Sequence, residues 1–332
     1  MPSLTKVILD LEIAIPSDQL VALSLLPHLR SLELRQARMD GPSLSLSQAS
    51  FALLTTLVIS IWVISPFLRT RSVDQKREFD NVVALLQAVS GSLTTLSISG
   101  DLLSPESLTI KWPYLRNFSV TEHTPTPYLL VPELISRMPE LRQLSVLFTA
   151  DSTRDVGELH PPFTVGVRGG EILTNSSPHL HSVTLSNVEP SDPIFQQLPC
   201  TLDALRIVAA EDLYIPLPAA PYRRKWAPLT PTMTLTILKG ISHFVDLAEL
   251  TLTLAYFAPP TLIDDIATAF PRLHTLELER AAYTRARFYR EDVRDSALLV
   301  PLARLLWLRR LRISLDFYER VEFYSDNQPL FL

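Results

Sequence analysis

From Leu247 to Ala281 the chain reads LAELTLTLAYFAPPTLIDDIATAFPRLHTLELERA. Leucines stand at relative positions 1, 4 and 6 (Leu247, Leu250, Leu252), a Pro259-Pro260 pair breaks the run, and a stretch with apolar residues at helical spacing follows. The same leucine spacing then begins again at Leu273, Leu276 and Leu278. Alternation between the fourth and sixth positions fits a strand, and the stretch between the two copies fits an amphipathic helix. Two like strands joined by a crossover of a dozen or more residues are expected to lie parallel and adjacent. One unit is therefore strand, turn and return helix.

The rest of the chain repeats that unit. The pattern apolar-x-x-apolar-x-apolar begins at Leu4 (LTKVIL), Leu29 (LRSLEL), Leu54 (LTTLVI), Leu93 (LTTLSI), Leu115 (LRNFSV) and Leu141 (LRQLSV). It continues at Leu180 (LHSVTL), Leu202 (LDALRI), Leu247 (LAELTL), Leu273 (LHTLEL) and Leu308 (LRRLRI). Intervals of 25, 25, 39, 22, 26, 39, 22, 45, 26 and 35 residues mostly match the roughly 20–29 residues of a leucine-rich repeat. Helical spacing predicts return helices over residues 17–26, 80–89, 132–138, 262–270 and 292–306. The expected fold is α/β, a leucine-rich-repeat solenoid with a curved parallel sheet on the concave side and return helices outside. A single array spans 1–332, with insertions near 60–80, 150–170 and 208–230. The last carries IPLPAAPYRRKWAP, whose prolines favour an extended course and whose Arg223, Arg224, Lys225 and Trp226 form a candidate loop patch.

Phrases such as LPHLRSLEL, WPYLRNFSV and MPELRQLSV are similar to the divergent repeats of fungal F-box proteins, and the chain resembles the leucine-rich-repeat region of that family. The resemblance implies a protein-protein interaction scaffold that recognises substrates for a ubiquitin ligase. It implies a cullin-ligase adaptor as partner only if an F-box segment exists outside this chain, since none is visible within it and no adaptor-contact residue carries over. The alternative is a free-standing repeat scaffold or an inhibitor-type binding protein unrelated to ubiquitin. Past the third apolar site, where such families carry an Asn or Cys ladder, this chain has Ala37, Thr149, Ala210, Ala255 and Ala281 beside Trp62, Asp101 and His123.

Other function classes find no support. There is no glycine-rich phosphate loop, GxSxG, HExxH or CxxC, so no catalytic, cofactor-binding or metal-binding residue is assigned, and the chain is not read as an enzyme. His179 and His181 lie two apart without a third ligand nearby in sequence. Cys200 is expected to be a small buried hydrophobe. A net charge of −5 without like-charge blocks points to neither nucleic acid nor an anionic membrane. The eighteen residues from Phe51 to Leu68 lack charge, but the repeat pattern runs through them, so a buried parallel strand is expected there. One cysteine and no secretory leader suggest a cytoplasmic or nuclear location, with a protein partner or substrate.

Alternation along each strand turns the three apolar sites inward and the intervening residues outward. The candidate partner-binding concave face is then Thr56, Ser60, Thr95, Ser97, Ser99, Ser119, Thr121, Ser145, Ser182, Thr184 and Ser186, a nearly uncharged floor. Glu249, Glu277, Glu279, Arg310 and Arg312 extend it at the C-terminal end, where Glu277 and Arg312 are expected to pair across adjacent strands and Arg310 to reach Glu277 diagonally. Because terminal units lack a neighbour on one side, the apolar residues of the first unit are expected to be partly exposed.

Overall fold

Eleven short strands form one open parallel sheet whose spatial order is the order of the sequence. They are β1 (Lys6–Asp10), β2 (Ser31–Arg35), β3 (Thr56–Ile59), β4 (Thr95–Ser99), β5 (Asn117–Glu122) and β6 (Gln143–Phe148), followed by β7 (Ser182–Ser186), β8 (Ala204–Val208), β9 (Glu249–Leu254), β10 (Thr275–Arg280) and β11 (Arg310–Ile313). The structure is a computed structural model and describes residues 4–10, 14–44, 46, 51–60, 74–122, 134–148, 177–208, 229–255, 258–280 and 300–313. Every strand falls on one of the eleven motifs. This is a leucine-rich-repeat solenoid of α/β class.

The register explains why leucine recurs. The fourth motif positions form one inward row from Val7 through Leu32, Leu57, Leu96, Phe118 and Leu144 to Val183, Leu205, Leu250, Leu276 and Leu311. The sixth positions form a parallel row. The first-position leucines from Leu29 to Leu273 are all buried, nine of them in succession, while Leu4 is exposed at one end and Leu308 is only partly buried at the other. Each unit thus completes its neighbour's core, as the expected exposure of the first unit requires. Burying one leucine side chain contributes about 2–3 kcal/mol, and the sum over adjacent units stabilises the stack.

Two backbone devices hold this register. At each strand entrance the carbonyl of the second motif residue accepts two N–H groups from the following unit. Arg30 and Ser31 both donate to Thr5, Arg116 and Asn117 to Thr94, His181 and Ser182 to Arg142, and Arg309 and Arg310 to His274. A carbonyl has two lone pairs, so one oxygen can fix both the direction and the register of the incoming strand. Before the entrance, proline sets a tight turn. Pro27, Pro139, Pro178 and Pro271 stand second in turns closed by Leu29, Met138 to Leu141, Ser177 to Leu180 and Phe270 to Leu273, each leucine N–H donating three residues back. The fixed φ of proline suits that position.

Opposite the sheet, the return layer is uneven. Among the described residues the helices with both ends in view are α1 (Ser17–Ser24), α2 (Gln75–Val89), a short α3 (Ile194–Gln197), α4 (Pro231–Ile241) and α5 (Pro260–Ala269), whose buried faces join the strands in one hydrophobic cluster; residues 300–302, within the helix expected over 292–306, are also helical, and 292–299 lie outside the described residues. The expectation of a helix in every unit is corrected. Between β4 and β5 the chain makes two single 3-10 turns, Gly100–Leu102 and Ser107–Thr109, because a 22-residue unit leaves no room for a longer return. Of the helix expected over 132–138, residues 132–133 lie outside the described residues, 134–135 are helical and 136–137 form a turn. α2 starts five residues before the expected position, where Asp74 accepts the Arg77 N–H at 3.1 Å and caps it. The helix α4 was not expected; Thr230 caps it and Pro231 occupies its first turn, a preferred arrangement.

Residues 51–60 contain β3 as expected, with Leu57 and Ile59 buried. Among the described residues no helix is long and apolar enough to cross a membrane. Most of the insertion near 60–80, all of that near 150–170, and nearly all of that near 208–230 lie outside the described residues.

One polar strap ties α2 to the loop after β2. Asn81, almost fully buried, donates to the carbonyls of Met39, Gly41 and Pro42 and accepts the Leu44 N–H at 2.8 Å. Glu78 accepts the Met39 N–H beside it. Gly41 is needed here, since a Cβ at that position would come within 2.9 Å of the Ile15 carbonyl oxygen. Gln36 and Asn187, both two residues past the third apolar site, turn out of their strands with φ of 55°, and Asn187 donates to the Phe148 carbonyl of the preceding strand.

Candidate partner-binding face

Three outward rows run across the sheet. The middle row is Ile8, Glu33, Val58, Ser97, Ser119, Ser145, Thr184, Arg206, Thr251, Glu277 and Arg312, one residue from each strand in unbroken register. The row on its N-terminal side carries Lys6, Ser31, Thr56, Thr95, Asn117, Gln143, Ser182, Ala204, Glu249, Thr275 and Arg310. Hydroxyls on β3 to β7 in these two rows are half-buried, flanked by neighbours one strand spacing of about 4.8 Å away. Asn117 donates to the Thr95 hydroxyl at 3.2 Å, so the floor is partly bonded to itself.

The third row needs correction. Ser99 and Ser186 are buried, because the chain curls inward as it leaves β4 and β7. Ser99 donates to Asp101 at 2.7 Å, and Ser186 to the Phe148 carbonyl at 3.0 Å. Both hydroxyls finish strand ends and are withdrawn from the open face, while Ser60 and Thr121 remain half-buried on it. Selection by hydroxyl passed over Asn117, Gln143, Val58 and Leu147, which occupy the same rows. Row position alone would have found them.

The ends of the floor are charged. At the C-terminal end Glu277 lies opposite Arg312 in register, but the ion pairs run diagonally. Arg310 reaches Glu277 at 2.9 Å, as expected, whereas Arg312 reaches Glu279 at 3.0 Å. The expected pairing of Glu277 with Arg312 is corrected accordingly. An arginine side chain reaches further along the strand than straight across. Glu249 takes Arg206 of β8 at 3.6 Å. At the other end Glu33 is bound by Lys6 of β1 and by Arg35. Lys6 and Arg310 thus pin the two outermost strands by the same diagonal.

Hydrogen bonding from Lys6, opposed by burial and reinforced by Arg35, holds the Glu33 carboxyl below the usual glutamate range. A lowered folded value means that this group stabilises the fold above its unfolded pKa of about 4.3 and that the contribution is lost as pH falls through the folded value. Glu33→Gln is therefore expected to lose less Tm than the parent between about pH 7 and about pH 3, measured by thermal denaturation. Equal acid losses would rule out the contribution.

The remaining candidates carry no site. Arg223, Arg224, Lys225 and Trp226 lie outside the described residues. His181 sits 3.4 Å from Asp203 on an exposed edge of the strand entrance, and among the described residues no three His, Cys, Asp or Glu converge as a metal site. Cys200 is exposed rather than buried, because it falls in the tight turn before β8 and not on an inward position.

No protein family profile matches the chain, and no curated protein matches its sequence. Among solved structures it is similar to an internalin from Listeria monocytogenes, at 14% identity over 89% of this chain and 70% of that one, with a TM-score of 0.37. It is similar to a chain of the Toll and Spatzle complex of Drosophila at 14% identity over 93% of this chain and 36% of that one, with a TM-score of 0.37. It is also similar to a chain of the Rad7 and Elc1 complex of yeast, at 14% identity over 85% and 72%, again with a TM-score of 0.37. Likenesses at this level carry no argument about function, and the solenoid is established by the strand order and register of this chain itself.

Proposed function

We propose that the chain is a protein-interaction scaffold whose partner lies on the open face of the sheet over β3 to β7. The observation behind this reading is that no outward position in the three rows carries a charge between Arg35 of β2 and Arg206 of β8. Hydroxyls can donate or accept, and uncharged polar groups lose less than ions when water is removed. Such a floor suits a partner surface that is polar but carries few charges, while the ion pairs at either end disfavour a misplaced partner. Fold alone does not decide function.

The finer reading is substrate recognition for a ubiquitin ligase, supported by the resemblance of the LPHLRSLEL, WPYLRNFSV and MPELRQLSV phrases to F-box repeat proteins. A scaffold unrelated to ubiquitin is the alternative. Affinity purification of the natural full-length protein tests both. Recovery of a cullin and its adaptor supports the ligase reading, and their absence removes it while leaving the scaffold.

The face itself is tested by Ser119→Arg combined with Ser145→Arg, which sets two cations side by side on adjacent strands of the floor. Proteins retained specifically by the parent are expected to drop at least about tenfold, a change of about 1.4 kcal/mol or more in binding. Tm should move by only a few degrees, since half-exposed surface positions have small effects. An unchanged set of retained proteins would place binding elsewhere.

A further inference from the structure

We infer that the N-terminal edge strand β1 pairs antiparallel with β1 of a second copy of this chain, forming a symmetric dimer with one continuous sheet. β1 is the outermost strand on its side and pairs only with β2 among the described residues. Its Thr5 carbonyl turns toward β2. Because successive residues alternate, the backbone N–H and C=O groups of Lys6, Ile8 and Asp10 point away from β2, toward the open edge. An edge of this kind is a template for a further strand.

The sequence of β1, KVILD, identifies which strand fits. Placed antiparallel to itself about a two-fold axis at Ile8, it sets Lys6 opposite Asp10 of the other copy, Ile8 against Ile8, and Val7 against Leu9 on the core side. Opposite charges and apolar pairs face each other at every position, the arrangement that stabilises cross-strand neighbours. The open edge groups of Lys6, Ile8 and Asp10 then exchange hydrogen bonds with their counterparts, and both outward faces stay on the same side. Ile8 is 45% exposed. Asp10 is exposed and has no ion-pair partner in its own chain among the described residues. The first unit also exposes Leu4, whose counterparts from Leu29 to Leu273 are buried between neighbouring units.

The opposite edge argues against the other arrangements. Antiparallel self-pairing of β11, RLRI, sets Arg310 against Arg312. Parallel addition of β1 to β11 in the register of the array sets Lys6 against Arg310. Like charges directly opposite are destabilising. An isologous contact through β1 closes on itself and gives a dimer, not a filament.

Sedimentation or light scattering of the full chain across micromolar concentrations tests this. The parent is expected to run as a dimer. Ile8→Pro removes the edge N–H at the two-fold axis and leaves the bonds to β2 intact, since proline is tolerated on an edge strand with its nitrogen facing outward. Asp10→Lys sets a lysine opposite Lys6 at both ends of the strand pair. Both variants are expected to be monomers with unchanged circular dichroism and with Tm independent of protein concentration. A monomeric parent at about 100 μM, a concentration far above that of specific dimers, would overturn the proposal. So would a dimer that survives in both Ile8→Pro and Asp10→Lys, which would assign self-association to another surface.

Discussion

Leu180→Ala is expected to lower stability by about 3–4 kcal/mol, the cost of a cavity in a core that relaxes only partly. Leu180 is fully buried, roofed by units on both sides, and its N–H closes the turn on Ser177. The same substitution at Leu4, which holds the same motif position but is 54% exposed, is expected to cost less than about 1 kcal/mol. Urea denaturation monitored by circular dichroism measures both. In a stack where each unit touches only its neighbours, damage at the centre also divides the array. Hydrogen exchange should show protection falling in β6, β7 and β8 while β1 to β3 keep theirs. Equal costs at the two leucines would mean that the end unit is covered as well as the middle.

Asn81→Leu is the second large effect. The substitution keeps the volume but strands three buried or half-buried carbonyls and the Leu44 N–H that one amide now satisfies. Unsatisfied buried groups cost about 1–3 kcal/mol each, with solvent entry limiting the sum, so a total near 3 kcal/mol is expected. Protection of the amides from Met39 to Leu44 should be lost first, since Asn81 fastens that loop to α2 across about forty residues of chain. A loss below about 1 kcal/mol would show that the loop holds itself by other means.

The strands were legible because one residue type, leucine, marks the first position of every unit and because alternation has no other solution over six residues. From Leu4 to Leu308 the inward and outward assignments follow from counting alone. The return layer was harder to read because its apolar faces are short and its lengths vary. Asp74 is hidden among charged neighbours, and α4 follows a proline-rich stretch that masks the cap at Thr230. Ser99 and Ser186 were misplaced for a different reason. Alternation describes a strand's middle, and these two lie where the chain has begun to turn. The ion pairs show the same limit: Cα register places Glu277 opposite Arg312, but side-chain length selects the diagonal. Residue type points Cys200 inward, but its place in the turn before Leu202 leaves it exposed.

The doubly bonded carbonyl at each strand entrance has a consequence for how such a chain changes over generations. Because alignment is re-established at every entrance, an insertion in one return segment cannot propagate a shift to the next strand. The intervals between units run from 22 to 45 residues, yet all eleven strands keep one register. Length is thereby uncoupled from alignment. Duplicating or deleting a whole unit leaves every junction with the same backbone bonding pattern, whereas losing a single residue between the first and sixth motif positions turns that strand's side chains over. The lineage of this protein is therefore free to vary in the spacing between its strands and in the identity of its outward residues, and is constrained in the six-residue phrase that it repeats.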